Sequence, residues 1–286
     1  MSKLPYPKWL KVTAQDSGKM EALNRMLKEL NINTVCEEAN CPNALECFNN
    51  QTATFLILGK NCTRSCKFCN VTKGVPENIN AQEPESIAKA VKKMNLKYVV
   101  ITSVTRDDLE DGGASHFANV IQHIRKECPD VKIEVLIPDF KGDFMSLTKV
   151  MDAKPEVINH NIETISRLYQ HVRPEANYEN SLNLIQSVKS STEGILTKSG
   201  MMLGLGETEE EVHKLLRDLK NHKCDIVTIG QYMPPSEQHY PIQEYVRPEQ
   251  FEAYQKYGES IGIPTVIAGP FVRSSYKASE ALFNII

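Results

Sequence analysis

The sequence predicts an α/β protein built around a parallel sheet. Two observations predict it. From residue 53 onward, short apolar runs alternate six or seven times with amphipathic helical stretches. Polar residues also gather just behind those runs: Cys62, Cys66 and Cys69 behind the first, residues 105–111 behind the second and 204–207 behind the fifth. In barrels and open α/β sheets alike, that C-terminal edge is where ligands bind.

The candidate strands are 53–59, 98–104, 132–137, 157–163, 195–203, 225–231 and 263–268. Each is a short apolar run, too brief for a helix of ordinary length. Between them, candidate helices lie near 84–94, 115–127, 143–151, 178–190, 208–221 and 248–260. The fifth of these has a start signal, Thr208 as N-cap with Glu211 three residues on, and residues 209–211 place acidic charge in its first turn. Repeated β–α alternation implies right-handed crossovers. Periodicity leaves a full barrel, a partial barrel and an open doubly wound sheet all standing. Residues 1–52 lack strand character, although Met20, Leu23, Met26, Leu27 and Leu30 form an apolar stripe expected to pack on the main domain. Residues 269–286 read as a tail. The expected division is therefore 1–52, 53–268 and 269–286.

A chain of 286 residues with 41% apolar residues can bury a sizeable core, and a barrel of this length need not divide. A net charge of −3 gives no reason to expect a nucleic-acid partner. No run reaches the ~20 apolar residues of a membrane helix, and the N-terminus lacks an apolar signal core. A cytoplasmic location is expected. There, clustered cysteines read as metal-binding or catalytic and not as disulfides.

Cys62-Thr63-Arg64-Ser65-Cys66-Lys67-Phe68-Cys69 is such a cluster, with spacing CxxxCxxC. Three close thiolates can face one iron–sulfur cubane, which leaves its fourth iron open to a substrate or cofactor. Structural zinc prefers four ligands in paired spacings, and no Cys or His follows Cys69 closely enough to complete such a site. Cys36, Cys41 and Cys47 form a second triplet, also without an adjacent fourth cysteine. Cys128 and Cys224 fall in helix and strand segments and read as packing residues. Asp107, Asp108 and Asp111 read as loop and turn residues, and His160 and His171 carry no assigned role.

CxxxCxxC behind the first strand of a βα series resembles the radical S-adenosylmethionine superfamily. The added N-terminal triplet resembles the lipoyl synthase family within it. So do Glu38-Ala-Asn-Cys-Pro-Asn43, Thr52-Ala-Thr-Phe55, residues 102–108 (TSVTRDD), Asn159-His-Asn-Ile-Glu163, Val172-Arg-Pro174, Gly204-Leu-Gly-Glu207 and Arg273-Ser-Ser-Tyr276. The resemblance runs from about Trp9 to Tyr276. The double cysteine pattern with the tail motif is its specific part, and Lys60-Asn61 and Lys277 are departures from it that touch no cluster ligand.

The resemblance implies a partial (β/α)6 barrel of the TIM type with a cluster-binding N-terminal extension and a tail that closes on it. It implies insertion of two sulfur atoms, at carbons 6 and 8 of an octanoyl chain already amide-linked to a lysine of a carrier protein. It implies two 4Fe–4S clusters and S-adenosylmethionine as cofactors. Cys62, Cys66 and Cys69 would ligate the cluster that cleaves S-adenosylmethionine. Cys36, Cys41 and Cys47 would ligate an auxiliary cluster that supplies sulfur, with Ser275, chosen over Ser274, as its fourth ligand. Ser103, Asn161, Glu163 and Arg173 are the candidate contacts to S-adenosylmethionine, an Arg suiting its carboxylate and a Glu its ribose hydroxyls. Gly204 and Gly206 are a weaker candidate for close backbone approach to that cofactor. The implied partners are an octanoylated carrier (the glycine-cleavage H-protein or the acyltransferase subunit of a 2-oxoacid dehydrogenase) and a reducing electron-transfer protein. The rival expectations are another sulfur-inserting enzyme of the superfamily and a non-catalytic iron–sulfur electron carrier.

Overall fold

Each apolar run of the sequence becomes a strand of one sheet, and each of the first six is followed by the helix its amphipathic neighbour foretold. The computed structural model describes residues 5–10, 25–35, 43, 46, 52–276 and 278–283. Strand β1 (Asn33–Thr34) lies antiparallel to β2 (Thr52–Ile57). From β2 the strands run parallel in chain order: β3 (Tyr98–Ser103), β4 (Lys132–Leu136), β5 (Val157–Asn159), β6 (Leu196–Leu203), β7 (Ile226–Gln231) and β8 (Thr265–Gly269). The sheet does not close, since β1 and β8 are its edges. Helices α1 (Glu83–Lys93), α2 (Ala114–Glu127) and α3 (Phe144–Asp152) follow β2, β3 and β4. A one-turn helix α4 (Tyr169–Val172) and then α5 (Tyr178–Ser191) follow β5. Helices α6 (Glu209–Asn221) and α7 (Pro248–Ser260) follow β6 and β7, and α8 (Ala278–Phe283) ends the described chain. Six β/α units and a further parallel strand make the expected partial barrel. That settles what periodicity left open.

The alternation of side chains along β3 assigns its two faces. Val99 and Ile101 join Ile87, Val91, Phe117 and Ile121 of α1 and α2 in the outer core. Tyr98 and Val100 point the other way and pack with Val157 and with Ala278 and Leu282 of α8. The tail thus ends in a helix that the sequence had not suggested, and it packs against the N-terminal ends of the strands. Of the N-terminal stripe, Leu27 is in the core, with Met26 and Leu30 packed against it. Met20 and Leu23 lie outside the described residues.

Among the strands is a fully buried ion pair. Lys198 Nζ of β6 donates to both oxygens of Glu134 of β4 at 3.0 Å, Tyr98 Oη donates to the same carboxylate at 2.7 Å, and Asn159 Nδ2 at 3.0 Å. A buried charge pair survives only when its remaining hydrogen-bonding capacity is filled, as here.

β5 is shorter than its expected span of 157–163. It stops at Asn159 because the Ser199 hydroxyl takes the place of ladder bonds, donating to His160 O (2.9 Å) and accepting from Ile162 N (3.1 Å). Pairing with β6 resumes when Glu163 N reaches Gly200 O at 2.9 Å. Glu163 sits at φ +65°, in the left-handed region that non-glycine residues rarely adopt. Among the described residues, no helix is long and apolar enough to cross a membrane.

Candidate active site

The first cysteine triplet lies in the loop behind β2 and is pinned from three sides. Cys62 N donates to Thr72 O at 2.8 Å, Thr63 N to Thr105 O at 3.0 Å, and Lys67 N to Val172 O at 2.9 Å. A turn closes between Cys69 N and Cys66 O at 3.3 Å. Two residues of the 232–247 segment hold the far side, Tyr240 N to Lys67 O (2.8 Å) and the His239 ring to Cys69 O (3.1 Å). All three cysteines are free and half-buried. They stand near enough to feel one another's charge. Burial pushes the Cys69 thiol up to about 12, with the Val71 N–H pulling the other way. Burial also pushes Cys66 up, against the nearby Arg173 charge. Metal loading of such thiols releases protons. No three His, Cys, Asp or Glu side chains among the described residues converge on a single ion. Thiolates on one cubane bind different irons, so they stand farther apart than ligands of one ion.

Arg64, between Cys62 and Cys66, is turned inward. Nε and Nη2 donate to Asp107 at 2.7 and 3.0 Å, and Nη1 and Nη2 to Asp139 at 2.8 and 2.7 Å. Burial pushes Asp139 up, but the Arg64 hydrogen bonds and charge outweigh it and hold its carboxyl at about 2. Ser65 donates through N–H and hydroxyl to Glu175. Sequence reasoning missed Arg64, Asp139 and Glu175. Asp139 carried a usable signal, since it follows β4 at the same ligand-bearing edge.

The four candidate cofactor contacts come to that edge. Ser103 ends β3. Asn161 and Glu163 lie in the bulge behind β5, joined by Asn161 Nδ2 to Glu163 Oε1 at 3.0 Å. Arg173 caps α4 and donates through Nη1 to Asn161 O (2.9 Å), Ile162 O (3.3 Å) and Tyr169 Oη (3.0 Å). Its charge is felt at both Cys66 and Glu163. Burial raises Glu163, and Arg173 opposes the rise. Three polar atoms here are buried with no hydrogen-bond partner: Ser103 Oγ, Asn161 Oδ1 and Arg173 Nε. Leaving a buried polar atom unpaired costs about 1–3 kcal/mol each. Three at one edge fit a polar ligand that supplies the missing bonds. Gly200 makes room for this. A Cβ there would stand 2.8 Å from Asn161 Oδ1 and 2.9 Å from Thr228 Oγ1.

Behind Arg173 runs a directed chain of hydrogen bonds. Tyr169 Oη donates to Ser181 Oγ (3.1 Å), which reaches His160 Nε2 (3.0 Å), while His160 Nδ1 meets Ile137 O (2.8 Å). The buried His160 is pushed down to about 4, by burial first and by the Arg173 charge second. Gly204 and Gly206 do not face open space. A Cβ on Gly204 would stand 2.3 Å from Glu244 O, so the backbone of the 232–247 segment fills the approach. Glu207 accepts from Gly204 N and Leu205 N, and Thr208 with Glu211 forms the expected capping box. Asp108 pairs with Arg106, and Asp111 caps Gly113 and Ser115, as loop residues do.

Cys36, Cys41 and Cys47 lie outside the described residues, but two residues near them do not. Asn43 Nδ2 donates to Phe271 O at 2.7 Å, and Tyr276 Oη to Glu46 Oε1 at 3.1 Å. The tail motif is therefore held against the segment that carries Cys41 and Cys47. Tyr276 N donates to Arg273 O at 2.9 Å, which puts Ser274 and Ser275 in the middle of a turn. Val272 O passes so near β7 that a Cβ on Gly230 would stand 2.1 Å from it.

The fold is shared with solved proteins. The crystal structure of methylornithine synthase superposes with a TM-score of 0.58 at 14% identity, over 86% of this chain and 77% of that one. SuiB of Streptococcus suis, solved with S-adenosylmethionine, gives 0.58 at 11% identity over 88% and 60%. These likenesses concern the fold alone. The family model of the radical SAM superfamily matches residues 56–219. A lipoyl synthase of Caldicellulosiruptor saccharolyticus is 54% identical over 274 residues, 96% of each chain. The chain belongs to the lipoyl synthase family. A lipoyl synthase of Alkaliphilus metalliredigens is 52% identical over 276 residues, 96% of this chain and 95% of its own. Membership in the lipoyl synthase family makes the chain a radical S-adenosylmethionine enzyme. Its cofactors are S-adenosylmethionine and 4Fe–4S clusters. The cysteine loop and the three unpaired polar atoms fit such a pair.

Proposed function

We propose that Cys62, Cys66 and Cys69 hold the cluster that meets S-adenosylmethionine, and that Ser103, Asn161, Glu163 and Arg173 bind that cofactor. As a lipoyl synthase, the enzyme inserts sulfur into an octanoyl chain carried by a protein, forming the lipoyl cofactor. The observation that carries the site reading is that Ser103 Oγ, Asn161 Oδ1 and Arg173 Nε, all buried and unpaired, belong to residues at the edge that bears the three cysteines, with Asn159 Oδ1 and Thr164 Oγ1 unpaired beside them. A reduced cluster held by these cysteines would supply the electron that breaks the sulfonium S–C5′ bond of S-adenosylmethionine, giving methionine and a carbon radical able to take hydrogen from carbons 6 and 8, positions no side-chain base can deprotonate.

The protein's own work is binding and exclusion of water. The unpaired N–H of Arg173 suits the methionine carboxylate, with Nη1 already spent on backbone. Asn161 Oδ1 suits an ammonium donor, Glu163 the ribose hydroxyls, and Ser103 Oγ either a donor or an acceptor. Cys36, Cys41 and Cys47 hold the auxiliary, sulfur-donating cluster in this reading, and Ser275 is its fourth ligand. The tie of the tail to Asn43 and Glu46 supports that assignment. A serine oxygen is a harder, weaker partner for iron than thiolate, so it can give way as sulfur leaves. In this reading the chain divides into 1–52, 53–268 and 269–286.

The carrier is an octanoylated protein, either the glycine-cleavage H-protein or a 2-oxoacid dehydrogenase acyltransferase subunit. Electrons come from a reducing electron-transfer protein. Six ligating thiols require a reducing compartment, which favours the cytoplasm. The test is anaerobic turnover with an octanoyl-lysine peptide, read by mass spectrometry. A product heavier by two sulfurs and lighter by two hydrogens is expected. Ser275→Ala should still cleave S-adenosylmethionine but form little product, and full product at the normal rate overturns the Ser275 role.

A further inference from the structure

One buried charge of the cysteine loop takes no part in holding the cluster or its cofactor. Arg64 is 6% exposed, and both edges of its guanidinium are occupied by carboxylates. Asp107 lies behind β3 and Asp139 behind β4, so the fork ties the loop behind β2 to the next two strand ends. Thr63 reinforces the tie. Its hydroxyl donates to Thr105 O at 2.9 Å and accepts from Asp107 N at 3.0 Å. The outcome of this bracing is visible at one sulfur. Two backbone amides converge on Cys62 Sγ, Thr105 N at 3.3 Å and Arg64 N at 3.5 Å.

We propose that the Arg64 fork is a positioning device that holds the Thr105 and Arg64 amides on the Cys62 sulfur and thereby raises the reduction potential of the cluster bound there. The inference rests on reading Cys62, Cys66 and Cys69 as ligands. Hydrogen bonds to cluster sulfurs set the potential together with charge and exposure. An N–H aimed at a thiolate favours the reduced cluster, which carries one more negative charge. The carboxylate pairs fix where the amides point because a guanidinium binds in a rigid plane. Lysine keeps the positive charge but cannot bridge two carboxylates in a fork. Arg64→Lys therefore separates amide placement from charge. Charge alone leaves the potential where it was, and lost amide placement lowers it.

The experiment uses the full-length chain with Cys36, Cys41 and Cys47 changed to Ala, so that a single cluster remains. Iron and sulfide are counted, and the midpoint potential is read by electron paramagnetic resonance during anaerobic reductive titration. Arg64→Lys is compared with Thr63→Val, a milder loosening that folds if the first does not. Arg125→Lys is the control. Arg125, in α2, bridges Glu156 and Val131 O and touches neither the cysteine loop nor the 105–107 segment. The expected result is a full cluster with a lower midpoint in Arg64→Lys, a smaller drop in Thr63→Val and no shift in Arg125→Lys. An unchanged midpoint in iron-loaded Arg64→Lys and Thr63→Val overturns the proposal, as does an equal drop in Arg125→Lys. Absence of iron from the parent chain with its N-terminal cysteines replaced instead overturns the ligand assignment itself.

Discussion

Replacing Arg173 by Gln tests the cofactor pocket at its buried cation. The guanidinium has Nη1 committed to two backbone carbonyls, Asn161 O and Ile162 O, and to the Tyr169 hydroxyl. The remaining buried donor, Nε, has no protein partner. Glutamine keeps an amide that can serve a carbonyl, so the bulge behind β5 retains support. It removes the charge and the fork. Truncating one member of a buried charge pair costs about 2–5 kcal/mol. At 1.4 kcal/mol per tenfold, this is roughly a 30- to 4,000-fold loss of S-adenosylmethionine affinity. Equilibrium binding to anaerobic, cluster-loaded protein measures it, with iron content and melting temperature recorded beside it. Arg173→Lys should fall between the two, since it restores charge without the planar donors. A Gln variant that keeps its iron and binds S-adenosylmethionine within about threefold of the parent, under 1 kcal/mol, would refute the role given to Arg173.

Three further outcomes are expected. Lys198→Met leaves the Glu134 carboxylate buried without its counter-charge, at a cost of about 3–5 kcal/mol. With about 2.1 cal/mol/K of unfolding entropy per residue, calorimetry should find a melting temperature lower by about 5–8 °C. Adding Glu134→Gln should recover much of it, while Lys89→Met on the exposed α1 pair should change little. Second, His160 is held near 4 in the fold against 6.5 when free, so the unfolded chain binds the extra proton between those values. Its share of stability is complete above about pH 6.5 and is lost as pH falls through about 4, roughly 3 kcal/mol in all. Urea unfolding of the metal-free protein across that window should show the slope, and His160→Gln should flatten it. Third, Gly230→Ala drives a Cβ against Val272 O and should dislodge the tail at a cost of about 1–3 kcal/mol. Limited proteolysis should then clip the chain beyond residue 270 sooner than in the parent.

Much of the architecture was legible because β2, β3 and β7 are short runs rich in β-branched and apolar residues, β4 and β6 keep apolar cores despite Glu134 and Lys198, and the helices between them carry clear stripes. β1 was not, since two residues carry no period. The early end of β5 was not, because a serine hydroxyl on β6 replaces its ladder bonds. Six residues of α8 are likewise too few for a helical repeat to declare itself. The cysteine loop was legible because its chemistry is local. The partners of Arg64 were not, because Asp107 and Asp139 lie 43 and 75 residues away and no spacing rule links them. The same limit hid the ties of Asn43 and Glu46 to the tail.

Those last ties have a consequence in time. Asn43 and Phe271 are 228 residues apart, and Glu46 and Tyr276 are 230 apart. A ribosome delivers Asn43 and Glu46 before any strand from β2 to β8, and Phe271 and Tyr276 after all of them. Until Phe271 and Tyr276 leave the exit tunnel, Asn43 and Glu46 have no tail to bond to. These ties form only after the sheet between their partners has been made, and a chain stopped short of Phe271 never forms them.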